Sequence, residues 1–343
     1  MKTDVYPSVG CCARIAALAM LPFLSTQSCL AQDSVLVGDY GGSRVIKFAF
    51  PSGTAQTHFV GTGMTALSNT YGMTYGPDGA LYIASYSNSS VIRVDGQTGE
   101  PIGNGTFVTS GLGGLNGASC VAFGPDGKLY VSSYVTHAVG QYNGATGSFL
   151  QLFVTPSSGT LTNPTGLAFD GAGNLYVCSY GNDKVLKYNG TTGAFIEETL
   201  TAGQLGLNGP TGIKFDIGGR MYIGSRLSHQ IIVKDPVAGA SVLATNATIP
   251  GLTQPCFVDL AANGDLIVAC YQSGTVQRLN RTTGASLGTL VQAGSGGLAS
   301  CFSVVYKPSL TPCYANCDNS SISPVLNVND FVCFLSKYAA GCP

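Results

Sequence analysis

Short apolar runs separated by polar turns recur along most of this chain. Runs such as LYVCSY, from Leu175, and KVLKYN, from Lys184, are rich in β-branched and aromatic residues. Residues typical of turns separate them, which indicates short β-strands joined by tight connections. In GPDG, at Gly76 and again at Gly124, proline fixes φ and the last glycine takes the positive φ. The pattern therefore predicts an all-β protein.

The same group of runs is repeated six times. The alignment is almost without gaps for YGMTYGPDGALYIASY, from Tyr71, CVAFGPDGKLYVSSY, from Cys120, and GLAFDGAGNLYVCSY, from Gly166. The residue that ends the second run of each copy, which we call the landmark residue, is Tyr40, Tyr86, Tyr134, Tyr180, Arg226 or Tyr271. Four antiparallel strands in a unit of this length are typical of a β-propeller blade.

The two ends of the repeat region complement each other. The first copy lacks its opening strand and begins at DSVLVGDYGG, from Asp33, whereas CFSVVYKP, from Cys301, is an opening strand with no others behind it. Together they make one blade, which would join the chain ends and remove exposed strand edges. We therefore expect a six-bladed β-propeller over residues 32–308, and we expect it to be monomeric.

These units resemble NHL repeats. The stretch GLAFDGAGNLYVCSYGNDKVLKY, from Gly166, and its siblings are similar to this six-bladed propeller group, which grades into gluconolactonase-like and streptogramin-lyase-like families. The resemblance implies the fold and leaves the function open, because propellers carry many unrelated activities. The chain departs from the usual unit by placing Ser-Tyr where an Asp-Ser pair is common, and only Asp39 keeps an acid there.

Few residues at the expected channel mouth suit catalysis. A gluconolactonase-like metal site would need several acidic or amide ligands, whereas Asp39 and Asp183 are the only acids near that face. His137 and His229 both lie three residues after a landmark residue, but no Glu accompanies either one as an orienting acid. We interpret them as solvated loop residues and expect no catalysis. A lactonase-like metal-dependent hydrolase or a streptogramin-lyase-like enzyme is the alternative.

The five landmark tyrosines and Arg226 are the candidate ligand-binding face. Tyrosine combines a flat apolar ring with a hydroxyl group, which suits sugar rings, peptides or other proteins. Alternatively, each landmark residue packs at the end of its strand against the next blade. Because a repeat copies packing residues as well as binding residues, the sequence leaves both interpretations open.

Charge and the N-terminal sequence limit the partners and the location. The chain has 10% charged residues, a net charge of −1 and no run of Lys and Arg, so we expect no nucleic acid partner. Lys2 and Arg14 precede the apolar run IAALAMLPFL, and CLA then offers small residues, which is typical of a signal peptide over residues 1–31 cleaved after Ala31. The run is too short to span a bilayer stably. We expect a secreted, extracellular or cell-surface protein without a transmembrane anchor.

Cysteines fall into two groups. Within the propeller, Cys256 and Cys301 open first strands in adjacent units, which makes them candidates for a disulfide. Cys178 and Cys270 lie in second strands and are interpreted as buried thiols. Four more cysteines lie close together after the propeller, at Cys313, Cys317, Cys333 and Cys342.

The C-terminal region, residues 309–343, changes its pattern. Apolar residues in VNDFVCFLSKYAAG follow the spacing of one helix stripe. Immediately before this helix lie residues with oxygen side chains, which resembles the loop and helix of half an EF-hand. These residues are Asn316, Asp318, Ser320, Asn327 and Asp330. The middle of this loop is three residues longer than in a standard calcium loop, and the turn glycine is missing. A disulfide-stapled loop and helix that needs no ion is the alternative.

This C-terminal region resembles dockerin modules, specifically the cysteine-bearing type that ends in AAGC on many exported bacterial proteins. The resemblance implies a Ca²⁺-assisted anchor that a cohesin-like or cell-surface protein recognises. The chain carries a single copy, whereas ordinary dockerins have two loops. The sequence as a whole thus predicts an exported, non-catalytic binding protein with a C-terminal anchor.

Overall fold

The computed structural model describes residues 32–64 and 66–309, which form a six-bladed β-propeller. Each blade is an antiparallel sheet of four strands. Blade 1 contains β1 (Ser34–Asp39), β2 (Arg44–Ala49) and β3 (Ala55–Val60). Blade 2 contains β4 (Thr70–Tyr75), β5 (Leu81–Ser85), β6 (Ser90–Val94) and β7 (Pro101–Val108). Blade 3 contains β8 (Ala118–Phe123), β9 (Leu129–Ser133), β10 (Ala138–Tyr142) and β11 (Phe149–Val154).

The remaining blades follow the same order. Blade 4 contains β12 (Pro164–Phe169), β13 (Leu175–Ser179), β14 (Lys184–Tyr188) and β15 (Phe195–Leu200). Blade 5 contains β16 (Pro210–Phe215), β17 (Met221–Ser225), β18 (Gln230–Asp235) and β19 (Gly239–Thr245). Blade 6 contains β20 (Pro255–Leu260), β21 (Asp265–Cys270), β22 (Thr275–Asn280) and β23 (Ser286–Val291), and β24 (Cys301–Lys307) returns to blade 1. Short 3-10 turns lie at Leu112–Gly114, Ser158–Thr160, Tyr180–Asn182, Gln204–Gly206 and Ser295–Gly297.

The ring is closed as the sequence predicts. Strand β24 pairs with β1 in antiparallel register, with Ser34 opposite Lys307 and Val37 opposite Val304. The first strand of each blade is its inner strand, and each inner strand contacts the inner strands of the two neighbouring blades around the whole ring. Closure therefore covers the inner edge of β1 with β24, which removes a template for pairing with other chains.

Burial differs from strand to strand within a blade. The second strands β5, β9, β13 and β17 are buried along their entire length, whereas the fourth strands are exposed along their first half. A second strand has a neighbouring blade on both faces, so its continuous apolar run is favourable on both sides. Each such Leu, Val or Ile contributes roughly 1.5–3 kcal/mol by leaving water.

A tyrosine in the second strand forms part of the packing between blades. The Tyr82 ring lies 4.9 Å from the Phe123 ring of the next blade, and its hydroxyl donates to Asp78 of the GPDG turn (3.0 Å). The same edge-to-face contact recurs at Tyr130–Phe169 and Tyr176–Phe215. These second-strand tyrosines therefore pack each blade against the next one.

The turn between the third and fourth strands also joins neighbouring blades. In blade 4, Asn189 Oδ1 accepts the N–H groups of Thr191 and Thr192 at 2.9 Å each. Gly193 follows with φ of 73°, and a Cβ there would collide with the Phe153 carbonyl of blade 3. Glycine is required here for both its conformation and its close approach to the neighbouring chain segment.

The propeller cysteines are free thiols. Cys256 and Cys301 are both buried and unpaired, so the disulfide predicted between them is not formed. They lie on adjacent inner strands, but Cys256 packs in the cluster around the channel and Cys301 in the core formed by blades 6 and 1. Burial raises the pKa of Cys256 to about 12, so its thiol stays protonated at neutral pH. Cys178 and Cys270 are buried thiols, as predicted.

Several predicted features lie outside the described residues. These are the signal peptide over residues 1–31 and the C-terminal cysteines and candidate calcium ligands: Cys313, Cys317, Cys333, Cys342, Asn316, Asp318, Ser320, Asn327 and Asp330. In the part of the chain that is described, no helix has the length and apolarity needed to cross a bilayer.

Candidate functional site

Hydrogen bonds to the chain before the inner strand hold the landmark residues at one end of the channel. In blade 2, the buried Ser85 accepts the Ser68 N–H (2.8 Å) and donates to the Ser68 carbonyl (3.2 Å). Ser133, Ser179 and Ser225 make the same two bonds in blades 3 to 5. The backbone N–H of every landmark residue also donates to a carbonyl of this segment, at 3.0 to 3.3 Å. The Ser-Tyr pair thus combines a fixed serine with a landmark residue whose backbone position is set.

In blade 1, Asp39 takes the place of the serine that precedes the landmark residue in blades 2 to 5. Its Oδ1 accepts the Ser300 N–H (2.8 Å), and its Oδ2 accepts a hydrogen bond from Arg44 Nε (3.0 Å). Asp39 is fully buried and therefore ties β1 to the segment before β24. The acid that the sequence retains in this copy is part of the ring closure.

The landmark side chains meet in an aromatic ring at the channel mouth. Ring centroids are 5.8 Å apart for Tyr86–Tyr134, 6.1 Å for Tyr134–Tyr180 and 6.1 Å for Tyr40–Tyr271. The Arg226 guanidinium lies 4.6 Å from the Tyr271 ring centroid, and its Nε donates to Gln254 Oε1 (3.2 Å). Cation–π contact and this hydrogen bond hold Arg226 in the plane of its neighbours. We call these six side chains the landmark ring.

Three aromatic residues of the inner strands close the channel beneath the landmark ring. The rings of Tyr71 and Phe302 lie 4.1 Å apart, and Phe257 lies 6.2 Å and 6.0 Å from them. All three are buried, and Phe302 is only 2% exposed. Tyr71 also stacks on Tyr86 at 5.2 Å and meets Tyr40 edge-on at 6.0 Å, which completes the ring between these two residues. We call Tyr71, Phe257 and Phe302 the aromatic plug.

The plug and the landmark ring together form a largely aromatic surface at this end of the channel. All six landmark side chains are half-buried. Burial raises the pKa of Tyr40, Tyr86 and Tyr134, so their hydroxyl groups are neutral at physiological pH and can both donate and accept hydrogen bonds. Directly after the landmark positions, Val135 and Leu227 are 48% and 44% exposed, which extends the apolar surface outwards.

The histidines that share a repeat position join neighbouring blades. His137 Nδ1 accepts the Asn163 N–H (2.8 Å), and His229 Nδ1 accepts the Gln254 N–H (3.0 Å). In other blades the same position is Ser43, Ser89 or Asp183, and each side chain accepts a backbone N–H of the next blade at 2.7 to 3.0 Å. The interpretation of both histidines as solvated loop residues is therefore corrected, because each has a specific bond to the neighbouring blade.

Acids at this face have structural partners as well. Asp183 is one of the blade-to-blade acceptors, and Asp39 belongs to the closure. Within residues 32–64 and 66–309, no group of three or more His, Cys, Asp or Glu side chains is arranged to hold a metal ion. The landmark ring offers stacking, hydrogen bonding from tyrosine hydroxyls and a cation at Arg226.

Comparisons with known proteins agree with the propeller fold. A family model described as a beta-propeller repeat matches residues 151–187. Among solved structures, the chain is similar to one from a nidogen/laminin complex, with a TM-score of 0.65 and 17% identity over 81% of this chain and 99% of that chain. A streptogramin B lyase structure matches with a TM-score of 0.49 and 14% identity over 71% of this chain and 70% of that chain. No curated protein matches the chain. At these identities the likeness concerns the fold alone.

Proposed function

We propose that this protein is an exported, non-catalytic binding protein that holds its ligand on the landmark ring. The observation that carries this proposal is the convergence of Tyr40, Tyr86, Tyr134, Tyr180, Arg226 and Tyr271 into one half-exposed surface. Aromatic side chains supply large contact areas at a low entropy cost, which makes such surfaces effective in recognition.

A glycan is the ligand class that this surface fits best. The apolar faces of sugar rings can stack on flat aromatic side chains, and their hydroxyl groups can bond to neutral tyrosine hydroxyls. Arg226 supplies one cation, so the surface does not depend on a strongly charged ligand. A peptide or protein partner is the other class that the test below distinguishes.

Binding experiments with truncated landmark residues test this proposal. We expect the wild-type protein to bind members of a glycan array, and Y86A/Y134A to lose at least about tenfold in affinity, since each buried aromatic contact contributes about 1 kcal/mol or more. Phe195→Ala is the matched control, because Phe195 is an exposed aromatic residue on a fourth strand. Calorimetry with the best glycan gives the affinities.

Three outcomes of this experiment are informative. Binding of peptides but not glycans, with the same loss in Y86A/Y134A, would keep the face and change the ligand class. Equal affinities of wild type, Y86A/Y134A and F195A would remove the landmark ring from the proposal. Loss in F195A alone would move the binding surface to the outer strands.

The C-terminal region is proposed as a Ca²⁺-assisted anchor for a cohesin-like or cell-surface protein. The resemblance of residues 313–343 to cysteine-bearing dockerin modules supports this, together with the oxygen ligands that precede the predicted helix. A signal peptide that ends at Ala31 would place both parts outside the cytoplasm, where disulfides persist.

Calorimetric titration with Ca²⁺ tests the anchor. We expect the full chain to bind the ion, Asp330→Ala to weaken binding by at least about tenfold, and a chain ending at residue 308 to bind none, because an acidic ligand at the end of such a loop contributes strongly. Asp183→Asn serves as the control for a general loss of acidity. No heat with the full chain would contradict the calcium site, and pull-down of cell-surface proteins would then test the anchor alone.

A further inference from the structure

A cavity lies on the side of the aromatic plug that faces away from the landmark ring. Its volume is about 480 Å³, which is within the range of small-molecule sites. All six inner strands line it, and its surface is about equally polar and apolar. The plug residue Phe257 forms part of its wall. The cavity and the landmark ring are therefore separate parts of the same channel.

One position of the repeat changes its chemistry inside this cavity. In four blades the position is small or apolar: Thr74, Ala122, Ala168 and Val305. In blades 5 and 6 it is Lys214 and Asp259, at the same repeat spacing. Since alanine occupies this position in two blades of the same ring, packing does not require a lysine and an aspartate here. Two ionisable side chains inside a channel cost desolvation free energy, which pairing offsets only in part.

The two charges are not equally available. Lys214 Nζ lies 2.7 Å from Asp259 Oδ1. Asp259 is otherwise satisfied, because its Oδ2 accepts the Tyr306 N–H (2.8 Å) and its Oδ1 accepts the Leu260 N–H (2.9 Å). The Lys214 side chain is 45% exposed, compared with 9% for Asp259. The pair therefore presents its positive end to the cavity.

Protonation of Lys214 fits the same picture. The neighbouring Asp259 carboxylate raises the pKa of Lys214, so the amine remains an ammonium group at neutral pH. An ammonium group has three protons to donate, and Asp259 accepts from one of them. A charged Lys214 is suited to reversible binding of an acceptor group rather than to attack on a carbonyl carbon.

We propose that the cavity is a binding site for a small organic acid, whose carboxylate pairs with Lys214 and whose apolar body lies against the inner strands. Half-buried wall residues such as Phe123, Phe169 and Phe215 offer apolar contacts to the body, and Lys214 supplies the cation that selects an acid. Asp259 is the positioning residue that fixes Lys214. This site does not depend on what the landmark ring binds.

The test compares matched acids and amides. Calorimetric titration of the full chain uses 3-phenylpropionate, hexanoate and indole-3-acetate, each beside its neutral amide, up to about 10 mM. We expect saturable binding of at least one acid and an affinity at least about tenfold higher for that acid than for its amide, because a charge-assisted hydrogen bond is stronger than a neutral one.

Two variants locate the site. K214A/D259A takes the alanine that blades 3 and 4 have at this position, which avoids an unpaired buried aspartate. In this variant we expect the acid and the amide to bind with affinities within about twofold of each other. F195A, which changes an exposed side chain on a fourth strand away from this cavity, should retain the preference of the wild-type protein. Absence of binding by all three acids would overturn the proposal, as would a preference for acid that survives in K214A/D259A or is lost in F195A.

Discussion

At the scale of single residues, Lys307 shows how burial changes the charge on this protein. It lies near the end of β24, where its Nζ donates to the Gly96 carbonyl (2.5 Å) and lies 5.5 Å from the Phe59 ring centroid. Burial, with the charge of nearby Lys47, lowers the pKa of Lys307 from 10.5 to about 8. Folding therefore disfavours its charged form.

The contribution of Lys307 to stability should rise between pH 8 and pH 10. In that interval the unfolded chain keeps the Lys307 proton and the folded protein loses it, so this residue's contribution to the free energy of unfolding increases by about 1–2 kcal/mol. Below pH 8 both states carry the proton and this contribution is constant. Urea unfolding of wild type and Lys307→Met at pH 7, 8, 9 and 10 measures the effect.

Lys307→Met should lack this contribution and should be at least as stable as wild type at pH 7, since it buries no charge. Burial raises the pKa of thiols such as Cys256 and of tyrosines such as Tyr130, so these groups lower the free energy of unfolding over the same interval in both proteins. The difference between the two proteins therefore reports Lys307. Parallel pH profiles for the two proteins would contradict the assignment to Lys307.

At the scale of elements, the repeat position three residues after the landmark residue connects neighbouring blades. In five of the six blades its side chain accepts a backbone N–H of the next blade. His229 is the example in blade 5, with φ of 56° and an Nδ1 that accepts the Gln254 N–H. Ser43 and Ser89 have the same positive φ and make the equivalent bond in blades 1 and 2. The repeat therefore preserves an acceptor at this position and not a particular residue.

His229→Ala should destabilise the propeller by about 1–2 kcal/mol, because the buried Gln254 N–H loses its acceptor. His229→Ser is the matched variant, and it should recover more than half of this loss, since serine makes this bond elsewhere in the ring. Urea unfolding at one pH gives both values. If serine were as destabilising as alanine, the imidazole would be stabilising blade 5 by packing rather than by hydrogen bonding.

At the scale of the whole molecule, closure of the ring depends on β24. This strand supplies the inner edge of blade 1, and Phe302, at its start, supplies one member of the aromatic plug. The chain segment before it is tied to Asp39. Closure thus couples stability to the proposed binding face, because the same short strand completes the ring and supplies Phe302 to the aromatic plug.

A chain ending at residue 299 should lose cooperative unfolding and form larger species, since β1 would present an unpaired edge. A chain ending at residue 308 retains β24 and serves as the control, with the monomeric state we expect for the propeller. Size-exclusion chromatography with light scattering, followed by thermal unfolding, distinguishes them. A monomeric, cooperatively unfolding 299-residue chain would show that closure by β24 is dispensable.

The sequence by itself determined the number of blades, the four strands of each blade and the closure of the ring. These follow from local apolar runs and from a repeat of fixed length, both of which act along the chain. It also identified the positions of the landmark residues, since one repeat position recurs in every copy. It did not distinguish binding from packing there, because both functions are copied with the repeat.

Only the tertiary structure decided which side chains converge. Tyr82 and its equivalents pack between blades, whereas the landmark tyrosines meet above a plug formed by Tyr71, Phe257 and Phe302. Cys256 and Cys301 are neighbours in the ring but pack in different cores. Lys214 and Asp259, 45 residues apart in sequence, form an ion pair of 2.7 Å. The sequence offered one signal for that pair, two charges at a repeat position that is otherwise small or apolar, but the direction of each side chain depends on the curvature of the closed ring.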